Sequence, residues 1–356
     1  MDSLLLTPDL FSGDGGISRI LRLYLKALCE LSGDGEVVRL VSLNDRILDS
    51  TDKRRYSNDK LVEWEVCSRS KVDFCEAAFR MGFRSERIVC GHIAQLPLAW
   101  AVSKMWPGKS YYLVAHGIEV WRPFTFLERR ALGGARLVLC VSEFTRNQLL
   151  QHCRIPRERT AVIPNALDPR LDPPSPGPPP AAPPVILAVS RLSIADSYKG
   201  IDHLIAAMPA VLAQIPQARL RIVGRGDGLS GLQARVRDLN VGNAVEFAGY
   251  AGDSELPDEF ARCRLFALPS QKEGFGLVYL EAMAHGRPCL GARAGGAPEV
   301  ITGDTGVLVE YGDVAAIAAA IVAALRRDWP IEPLLERAKM FSYLRFKERF
   351  ASVMMA

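Results

Sequence analysis

The chain of 356 residues alternates between two hydrophobic patterns. Short apolar runs, typical of buried parallel strands, are separated by longer segments whose apolar residues recur with helical spacing. In the first half, strands are expected at Leu4–Thr7, Val37–Ser42, Arg87–Cys90, Tyr111–Ala115 and Leu137–Val141. The amphipathic segment Ile17–Leu31 predicts a helix directly after the turn Gly15-Gly16.

The same alternation restarts after residue 184. The predicted strands are Val185–Ser190, Arg219–Val223, Val245–Ala248, Leu265–Pro269 and Pro288–Gly291, and the predicted helices are Ile201–Gln214 and Leu229–Leu239. This order predicts an α/β protein with two Rossmann-like, doubly wound parallel sheets. Ligands of such sheets bind outside the carboxyl ends of the strands, so residues just after the strands are the candidates for chemistry.

A proline-rich segment over residues 171–184 separates the two halves. Proline fixes φ and removes a hydrogen-bond donor, so the segment is typical of a linker and not of a helix or central strand. The predicted domains are therefore residues 1–170 and 185–340. The tail, residues 341–356, begins as a basic amphipathic helix, for which the simplest interpretation is a capping helix of the second domain.

Composition and charge exclude only a few classes of function. Apolar residues make up 49% and charged residues 24%, and a net charge of +4 is too small to argue for nucleic acid. Residues 1–170 carry 25 basic and 20 acidic side chains, whereas the rest of the chain carries 19 and 20. This excess suggests an anionic partner for the first half, such as a membrane surface bound peripherally; a merely solvated surface is the alternative.

The eight cysteines form no C-x-x-C pair, and most lie in apolar surroundings. They fit small buried residues of a reducing compartment better than a disulfide or zinc framework. The first apolar run is too short for a signal peptide, and the longest one, Val314–Leu325, is too short to cross a bilayer. We therefore expect a cytoplasmic protein.

Residues 272–284 form the most informative segment. Glu273 stands before the turn Gly274-Phe275-Gly276, and Glu281 follows eight residues after Glu273, two turns inside a predicted helix. A strand, a glycine turn and a helix in this order leave backbone N–H groups at the helix start, where phosphate binds well. The two carboxylates suit a ligand that carries both phosphates and hydroxyls.

This segment resembles the E-x7-E signature of retaining GT-B glycosyltransferases of family 4, which transfer sugars from nucleotide-sugar donors. Two further family elements follow, Gly286-Arg287-Pro288 and Gly295-Gly296-Ala297-Pro298-Glu299. The resemblance covers nearly the whole second domain and is patchier in the first. It implies two domains that face each other across a cleft, with the last helix, 341–356, crossing back onto the first domain. It also implies a nucleotide-sugar donor and no cofactor.

Two cations follow the strand Val185–Ser190, Arg191 and Lys199, and cations at a strand's carboxyl end suit a pyrophosphate. The family's matching Arg and Lys hold the diphosphate leaving group, which implies that role here. The resemblance further implies that Glu273 binds hydroxyls of the donor sugar and that Glu281 binds those of the ribose. No nucleophile is evident, so a front-face displacement is the expected mechanism.

The resemblance also assigns backbone and glycine positions to the donor. The supporting backbone would be that of Gly274, Phe275, Gly276 and Leu277. Gly224 and Gly226 match an element that shapes the nucleotide pocket. They are not part of a dinucleotide fingerprint, because Leu229 stands where the third glycine of G-x-G-x-x-G would be.

Four candidates lie in the first half. Gly15 and Gly16 match a glycine loop that approaches the phosphates and the acceptor, where only small residues let the backbone come close. His116 matches a family histidine near the donor sugar. Asn165 matches a further family position, although Asn165-Ala166 replaces the more usual Asn-Gly.

The chain contains no D-x-D sequence, the carboxylate pattern with which many other sugar transferases hold a divalent ion. A cationic clamp and a helix N-terminus would then stabilise the departing diphosphate, and we expect no catalytic metal. The acceptor, expected to be a glycan, a lipid-linked molecule or a small molecule, is not readable from the sequence. The segment Arg69–Arg87 mixes basic and apolar residues, and either an acceptor or membrane element or a plain packed helix fits it.

Two other functions fit parts of the pattern. A sugar-nucleotide epimerase on a GT-B-like fold would need acid and base groups facing the donor sugar, which the E-x7-E segment disfavours. A non-catalytic nucleotide-sugar-binding protein would not need the complete set of motifs. Conversion of a nucleotide sugar without any acceptor would indicate an epimerase, and any turnover would exclude a binding protein.

Overall fold

The computed structural model describes residues 1–13, 15–47, 50–57, 62–169 and 183–354. The chain forms two compact units, the first made of Met1–Asp168 with Tyr343–Ala356 and the second of Pro169–Ser342. Apart from residues 183 and 184, the linker expected at 171–184 lies outside the described residues.

The first unit is built on a parallel sheet of seven strands. They are Ser3–Thr7 (β1), Val38–Ser42 (β2), Val62–Val66 (β3), Arg87–Cys90 (β4), Ser110–Ala115 (β5), Leu137–Cys140 (β6) and Thr160–Val162 (β7). Their order in the sheet is β3-β2-β1-β4-β5-β6-β7. The order reverses between β1 and β4, and such a switch point is where open α/β sheets bind ligands.

Helices cover both faces of this sheet. They are Gly16–Leu31 (α1), Ser50–Ser57 (α2), Lys71–Phe83 (α3), Leu96–Met105 (α4), Phe126–Gly134 (α5) and Glu143–His152 (α6). Every residue of β1 is buried, with Leu4 and Leu6 in one apolar core and Leu5 in the other. Burial on both faces explains why this strand is a continuous apolar run without alternation.

The second unit repeats the architecture with six parallel strands. They are Val185–Val189 (β8), Arg219–Val223 (β9), Val245–Gly249 (β10), Leu265–Leu268 (β11), Cys289–Ala292 (β12) and Gly306–Val309 (β13). The order is β10-β9-β8-β11-β12-β13, which places the switch point between β8 and β11. The helices are Ile201–Gln214 (α7), Leu229–Asp238 (α8), Leu256–Arg262 (α9), Leu277–Ala284 (α10), Val314–Arg326 (α11) and Ile331–Lys339 (α12).

The last helix, Tyr343–Met354 (α13), belongs to the first unit. Phe346 and Phe350 pack edge-on against Tyr24 of α1, with ring centroids 4.9 and 5.1 Å apart. Both phenylalanines are essentially fully buried. Burying one such side chain stabilises a fold by about 1.5–3 kcal/mol, so these contacts fasten α13 to α1. This placement agrees with what the family resemblance implied for the last helix, and the simplest interpretation, a cap on the second domain, is wrong.

Three strands were not among the sequence predictions: β3, β7 and β13. Each lies at the edge of its sheet. β3 alternates polar and apolar residues, β7 has only three residues, and β13 begins with Gly306. Edge strands need less apolar surface than central ones, which weakens their hydrophobic signal.

Candidate functional site

The carboxyl edge of the second sheet gathers most of the predicted residues at its switch point. Lys199 ends a 3-10 helix, Ile194–Lys199, after β8, and Glu273 follows β11. The Lys199 Nζ donates to Glu273 Oε2 at 2.8 Å, and the two side chains are only 18% and 15% exposed. The sequence proposed separate roles for these residues, and the structure brings them together as an ion pair.

Arg191 is held by Asp196, a residue to which the sequence pattern assigned no role. Its Nη2 donates to Asp196 Oδ1 at 3.0 Å, and the Tyr198 hydroxyl donates to the same oxygen at 2.8 Å. Arg191 itself is 69% exposed, whereas Asp196 is 10% exposed. Burial and then the Asp196 hydrogen bond raise the pKa of Tyr198, which keeps it a neutral donor. The sequence signal that could have identified Asp196 is its position as an acidic residue between the cations Arg191 and Lys199.

The turn between β11 and α10 ends in a glycine that no other residue can replace easily. Gly276 has a φ of +98°, and a Cβ there would lie 2.4 Å from the Tyr279 ring. Gly276 is also the N-cap of α10 and, having no side chain, it provides no capping hydrogen bond. The first-turn N–H groups of Leu277 and its neighbours therefore offer the anion-binding end of a helix, as the sequence predicted.

A glycine pair after β12 fixes the backbone of Glu273. The Gly296 N–H donates to the Glu273 carbonyl at 2.7 Å. A Cβ on Gly296 would lie 2.5 Å from the Gly274 carbonyl oxygen, and one on Gly295 would lie 2.4 Å from the Glu273 carbonyl oxygen. Only glycines allow this approach, so the G-G-x-P-E element acts on the site by packing against its backbone.

Two predicted donor residues have a packing role. A Cβ on Gly224 would lie 1.8 Å from the Ser190 carbonyl oxygen, and one on Gly226 would lie 2.3 Å from the Leu192 carbonyl carbon. These glycines let the loop after β9 lie directly on the loop that carries Arg191. Their contribution to the donor pocket stays a prediction.

The helix α10 carries the second glutamate. Glu281 is the fifth residue of this helix and 6% exposed, little more than one turn inside it; the expected position of two turns is wrong, because α10 begins only at Leu277. Phe275 is 2% exposed and packs on Phe341 with ring centroids 5.4 Å apart. Its side chain therefore anchors the turn in the core, and only its backbone remains for a ligand.

In the first unit, His116 follows β5 and is 8% exposed. Its Nε2 donates to the Gly91 carbonyl at 2.9 Å, and Nδ1 has no partner among the described residues. Burial lowers the pKa of His116, although nearby Glu119 opposes the change. The ring is thus neutral, with Nδ1 as a hydrogen-bond acceptor. Glu119 Oε1 also accepts from the backbone N–H groups of His116 and Gly117, at 2.5 and 3.1 Å.

The other first-unit candidates also lie at the carboxyl edge. Gly15 is the N-cap of α1, and Gly16 is its first residue. A Cβ on Gly15 would meet no atom within 4 Å, so packing does not require this glycine. Asn165 follows β7 and is 8% exposed, and its Oδ1 has no partner in the described part of the chain. A buried amide oxygen of this kind fits a donor group from a ligand or water.

Other sequence expectations concern cysteines, metals and membranes. Six cysteines are buried, but Cys75 is exposed on α3, contrary to the general expectation of burial. In the described ranges, no group of three or more His, Cys, Asp or Glu side chains is arranged to hold a metal ion. None of the described helices is long and apolar enough to span a bilayer.

Comparison with known families agrees with the geometry. The family described as Glycosyltransferase Family 4 matches residues 74–171, and the one described as Glycosyl transferases group 1 matches residues 183–327. The chain belongs to the family 4 glycosyltransferases, as its motifs predicted.

Two curated relatives are similar in sequence. A GDP-mannose-dependent alpha-(1-6)-phosphatidylinositol monomannoside mannosyltransferase of Mycolicibacterium smegmatis is 33% identical over 256 residues, which are 66% of each chain. An N-acetyl-alpha-D-glucosaminyl L-malate synthase of Bacillus anthracis is 35% identical over 150 residues, 42% of this chain and 39% of that protein. The matches thus span two thirds or less of these relatives.

Two solved structures share the whole fold. Anabaena HepE in complex with UDP and glucose has a TM-score of 0.79 and 22% identity, with all of both chains covered. WaaG, a glycosyltransferase involved in lipopolysaccharide biosynthesis, has a TM-score of 0.72 and 17% identity, with 99% of both chains covered. The fold is therefore GT-B, which confirms the predicted fold class.

Proposed function

We propose that this chain is a retaining glycosyltransferase that moves a hexose-type sugar from a nucleotide-sugar donor to an acceptor hydroxyl without a metal ion. The observation that carries this proposal is the Lys199–Glu273 pair beside the uncapped start of α10. One carboxylate, one ammonium and a helix N-terminus at a switch point are complementary to a sugar joined to a diphosphate.

The proposed roles follow from the chemistry of each side chain, with cations on the diphosphate and carboxylates on hydroxyls. Arg191, oriented by Asp196, and Lys199 neutralise the diphosphate, which gains negative charge as the bond between its oxygen and the sugar's anomeric carbon breaks. Glu273 holds hydroxyls of the donor sugar and Glu281 those of the ribose. The acceptor oxygen forms the new bond on the same face, and its proton passes to the leaving phosphate oxygen.

Metal independence rests on the same clamp. Two cationic side chains and a helix N-terminus supply the positive charge that a divalent ion would otherwise supply. The two groups of relatives suggest different nucleotides, because one name specifies GDP-mannose and the HepE structures contain UDP. The donor is therefore proposed only as a nucleoside-diphosphate sugar.

The first test is transfer with the purified chain. UDP- and GDP-sugars are incubated with candidate acceptors, and both nucleoside diphosphate release and the anomeric configuration of the product are followed by NMR. We expect an α-linked donor to give an α-linked product at the same rate with and without EDTA. An inverted product would refute retention, and activity lost to EDTA and restored by Mg²⁺ or Mn²⁺ would refute the metal-free mechanism. Conversion of the sugar without acceptor would instead establish an epimerase.

The acceptor is proposed to be lipid-linked, with peripheral binding to an anionic membrane. Ile118, Phe126 and Leu127 are 39%, 63% and 53% exposed in one segment beside His116. The exposed Arg129 and Arg130 follow after the buried Glu128, and the Arg130 guanidinium lies 5.3 Å from the Phe126 ring centroid. Apolar side chains interleaved with arginines suit the boundary between anionic headgroups and acyl chains. The name of the mycobacterial relative, which acts on a phosphatidylinositol mannoside, supports the same class.

Vesicle sedimentation tests this second proposal. We expect the chain to sediment with anionic vesicles at low salt and to be released at high salt, since screening shortens the reach of the arginines. Substituting Phe126→Ser with Leu127→Ser should remove binding, whereas Met340→Ser, at another exposed apolar residue, should not. Equal binding to neutral vesicles, or none to either, would exclude this surface.

A further inference from the structure

The loop that links β1 to α1 is bound to one buried carboxylate. Asp45, just beyond the end of β2, is fully buried. Its Oδ2 accepts from the Leu10 N–H at 2.8 Å, and its Oδ1 accepts from the N–H groups of Phe11 and Ser12 at 3.1 and 2.7 Å. The Ser42 hydroxyl donates to Oδ2 at 2.6 Å. Three consecutive backbone donors thus converge on a single side chain.

Such a row of backbone N–H groups is the arrangement that binds anions in many loops. Here the chain's own carboxylate occupies it. Burial by itself raises the pKa of Asp45, but hydrogen bonds from Ser42, Ser12 and Leu10 outweigh that effect and lower it. The group is therefore ionised at neutral pH, and each of its bonds to the loop is charge-assisted.

Neighbouring strand ends hold Asp45 in place. The Ser68 N–H donates to the Asp45 carbonyl at 3.0 Å, and the Asn44 N–H donates to the Pro8 carbonyl at 2.8 Å. Ser68 and Arg69 adopt left-handed backbone conformations, with φ of 47° and 73°. Non-glycine residues adopt this conformation at a cost in free energy, so surrounding contacts must maintain it. These hydrogen bonds link the segments that follow β1, β2 and β3.

The loop is also held from the helix side. Arg22 of α1 is 7% exposed, and its Nε donates to the Leu10 carbonyl at 2.5 Å. A Cβ on Gly13 would lie 2.1 Å from Asp9 Oδ1 and 2.5 Å from Ser18 Oγ, so the chain passes closely between these side chains. The same loop leads to Gly15, where the space around a Cβ is open. Residues 8–13 are thus restrained close to the start of α1, which suits them to positioning the Gly15-Gly16 backbone for a ligand.

We propose that Asp45 is a positioning residue for the sugar transfer: it fixes the loop so that the Gly15-Gly16 backbone at the start of α1 is held for the reacting groups. This inference rests on the proposed transferase function. The carboxylate acts through the loop and does not touch the substrate. Loss of its charge should therefore lower turnover while leaving nucleotide binding in the second unit intact.

The test compares two carboxylate-to-amide changes within the first unit. Asp45→Asn removes the charge and places an NH₂ group where backbone donors converge. Asp2→Asn is the matched control, because Asp2 also bonds a backbone N–H, that of Val37 at 3.0 Å, but lies before β1 at the other end of the strand. Ser42→Ala is a milder change that removes one donor and keeps the carboxylate.

Steady-state kinetics, nucleoside diphosphate titration and amide hydrogen exchange supply the readouts. For Asp45→Asn we expect kcat to fall about tenfold or more with nucleotide affinity within about twofold of wild type, and faster exchange at Leu10, Phe11 and Ser12. Asp2→Asn should retain the wild-type kcat, and the kcat of Ser42→Ala should lie between those of Asp2→Asn and Asp45→Asn. If Asp45→Asn does not fold, unchanged kcat in Ser42→Ala overturns the inference.

The outcomes also separate this inference from the transferase proposal. A wild-type chain that turns over no donor removes the transferase proposal and the inference with it. A wild-type chain that turns over, with an Asp45→Asn variant that matches Asp2→Asn in kcat, leaves the transferase standing and overturns the positioning role. A fall in kcat that only follows loss of folded protein also overturns it.

Discussion

Glu273 owes its position to glycine backbone contacts as much as to its own side chain. Gly296 packs against the Gly274 carbonyl and donates to that of Glu273. The Lys199 ammonium then holds the carboxylate itself. Small backbone displacements at this turn therefore move the carboxylate relative to its cationic partner, and geometry of this kind controls rates strongly.

Gly296→Ala tests this dependence. Gly296 has a φ of −83°, so alanine is compatible with the backbone, but its Cβ would lie 2.5 Å from the Gly274 carbonyl oxygen. The turn must move, and we expect a loss of about 1–3 kcal/mol in the free energy of unfolding together with a fall of about tenfold in kcat. Thermal or urea unfolding and donor kinetics would measure the two effects.

Gly303→Ala is the matched control, because a Cβ there meets no atom within 4 Å. It should leave both stability and kcat close to wild type. If the Gly296 and Gly303 variants behave alike, the glycine pair does not position the catalytic turn.

At the scale of elements, the hydrophobic pattern was sufficient for the central strands. Arg87–Cys90 and Arg219–Val223 agree residue for residue with the structure. In Arg87–Cys90 the apolar run is buried as expected of a central strand, whereas in Arg219–Val223 only the three apolar residues are buried and the two arginines are not. The pattern failed for β3, where Val62–Val66 alternates with glutamates at the sheet edge. It also failed for the role of α13, whose partner is decided by the fit of two phenylalanines against Tyr24.

For the candidate site, the sequence predicted the positions of the residues better than their pairings. The motifs placed Glu273, Lys199 and Arg191 just after strands of the second sheet, where open α/β sheets bind ligands, and the structure brings these positions to one switch point. Their roles toward a donor stay predictions. Arg191 and Asp196 pair within one loop, where an acidic residue between two cations was the available signal. The pairing of Lys199 with Glu273 depends on how two separate loops approach each other at the switch point, which periodicity and spacing do not show. Asp45 was missed for the same reason, because the three backbone donors that it binds lie more than 30 residues away along the chain.

For the whole molecule, we propose that the two α/β units together support sugar transfer and that the second unit holds the donor. The two family matches divide along the same boundary, with one before residue 172 and one after residue 182. Within the second unit, Glu281 and Glu273 have distinct proposed partners, ribose and sugar. Ribose contacts change little as the glycosidic bond breaks, whereas sugar contacts change in geometry and charge.

The most direct measurement is donor kinetics of Glu273→Gln beside Glu281→Ala. The change Glu273→Gln keeps the size of the side chain, removes its charge and leaves Lys199 without its carboxylate. We predict a loss of about 2–4 kcal/mol of transition-state stabilisation, which corresponds to a roughly 30- to 1,000-fold fall in kcat. Glu281→Ala should mainly raise the donor KM. Glu348→Gln, which breaks an exposed ion pair with Arg345 in the first unit, is the control and should match wild type. A Glu273→Gln enzyme with near-normal kcat would contradict the proposed active site.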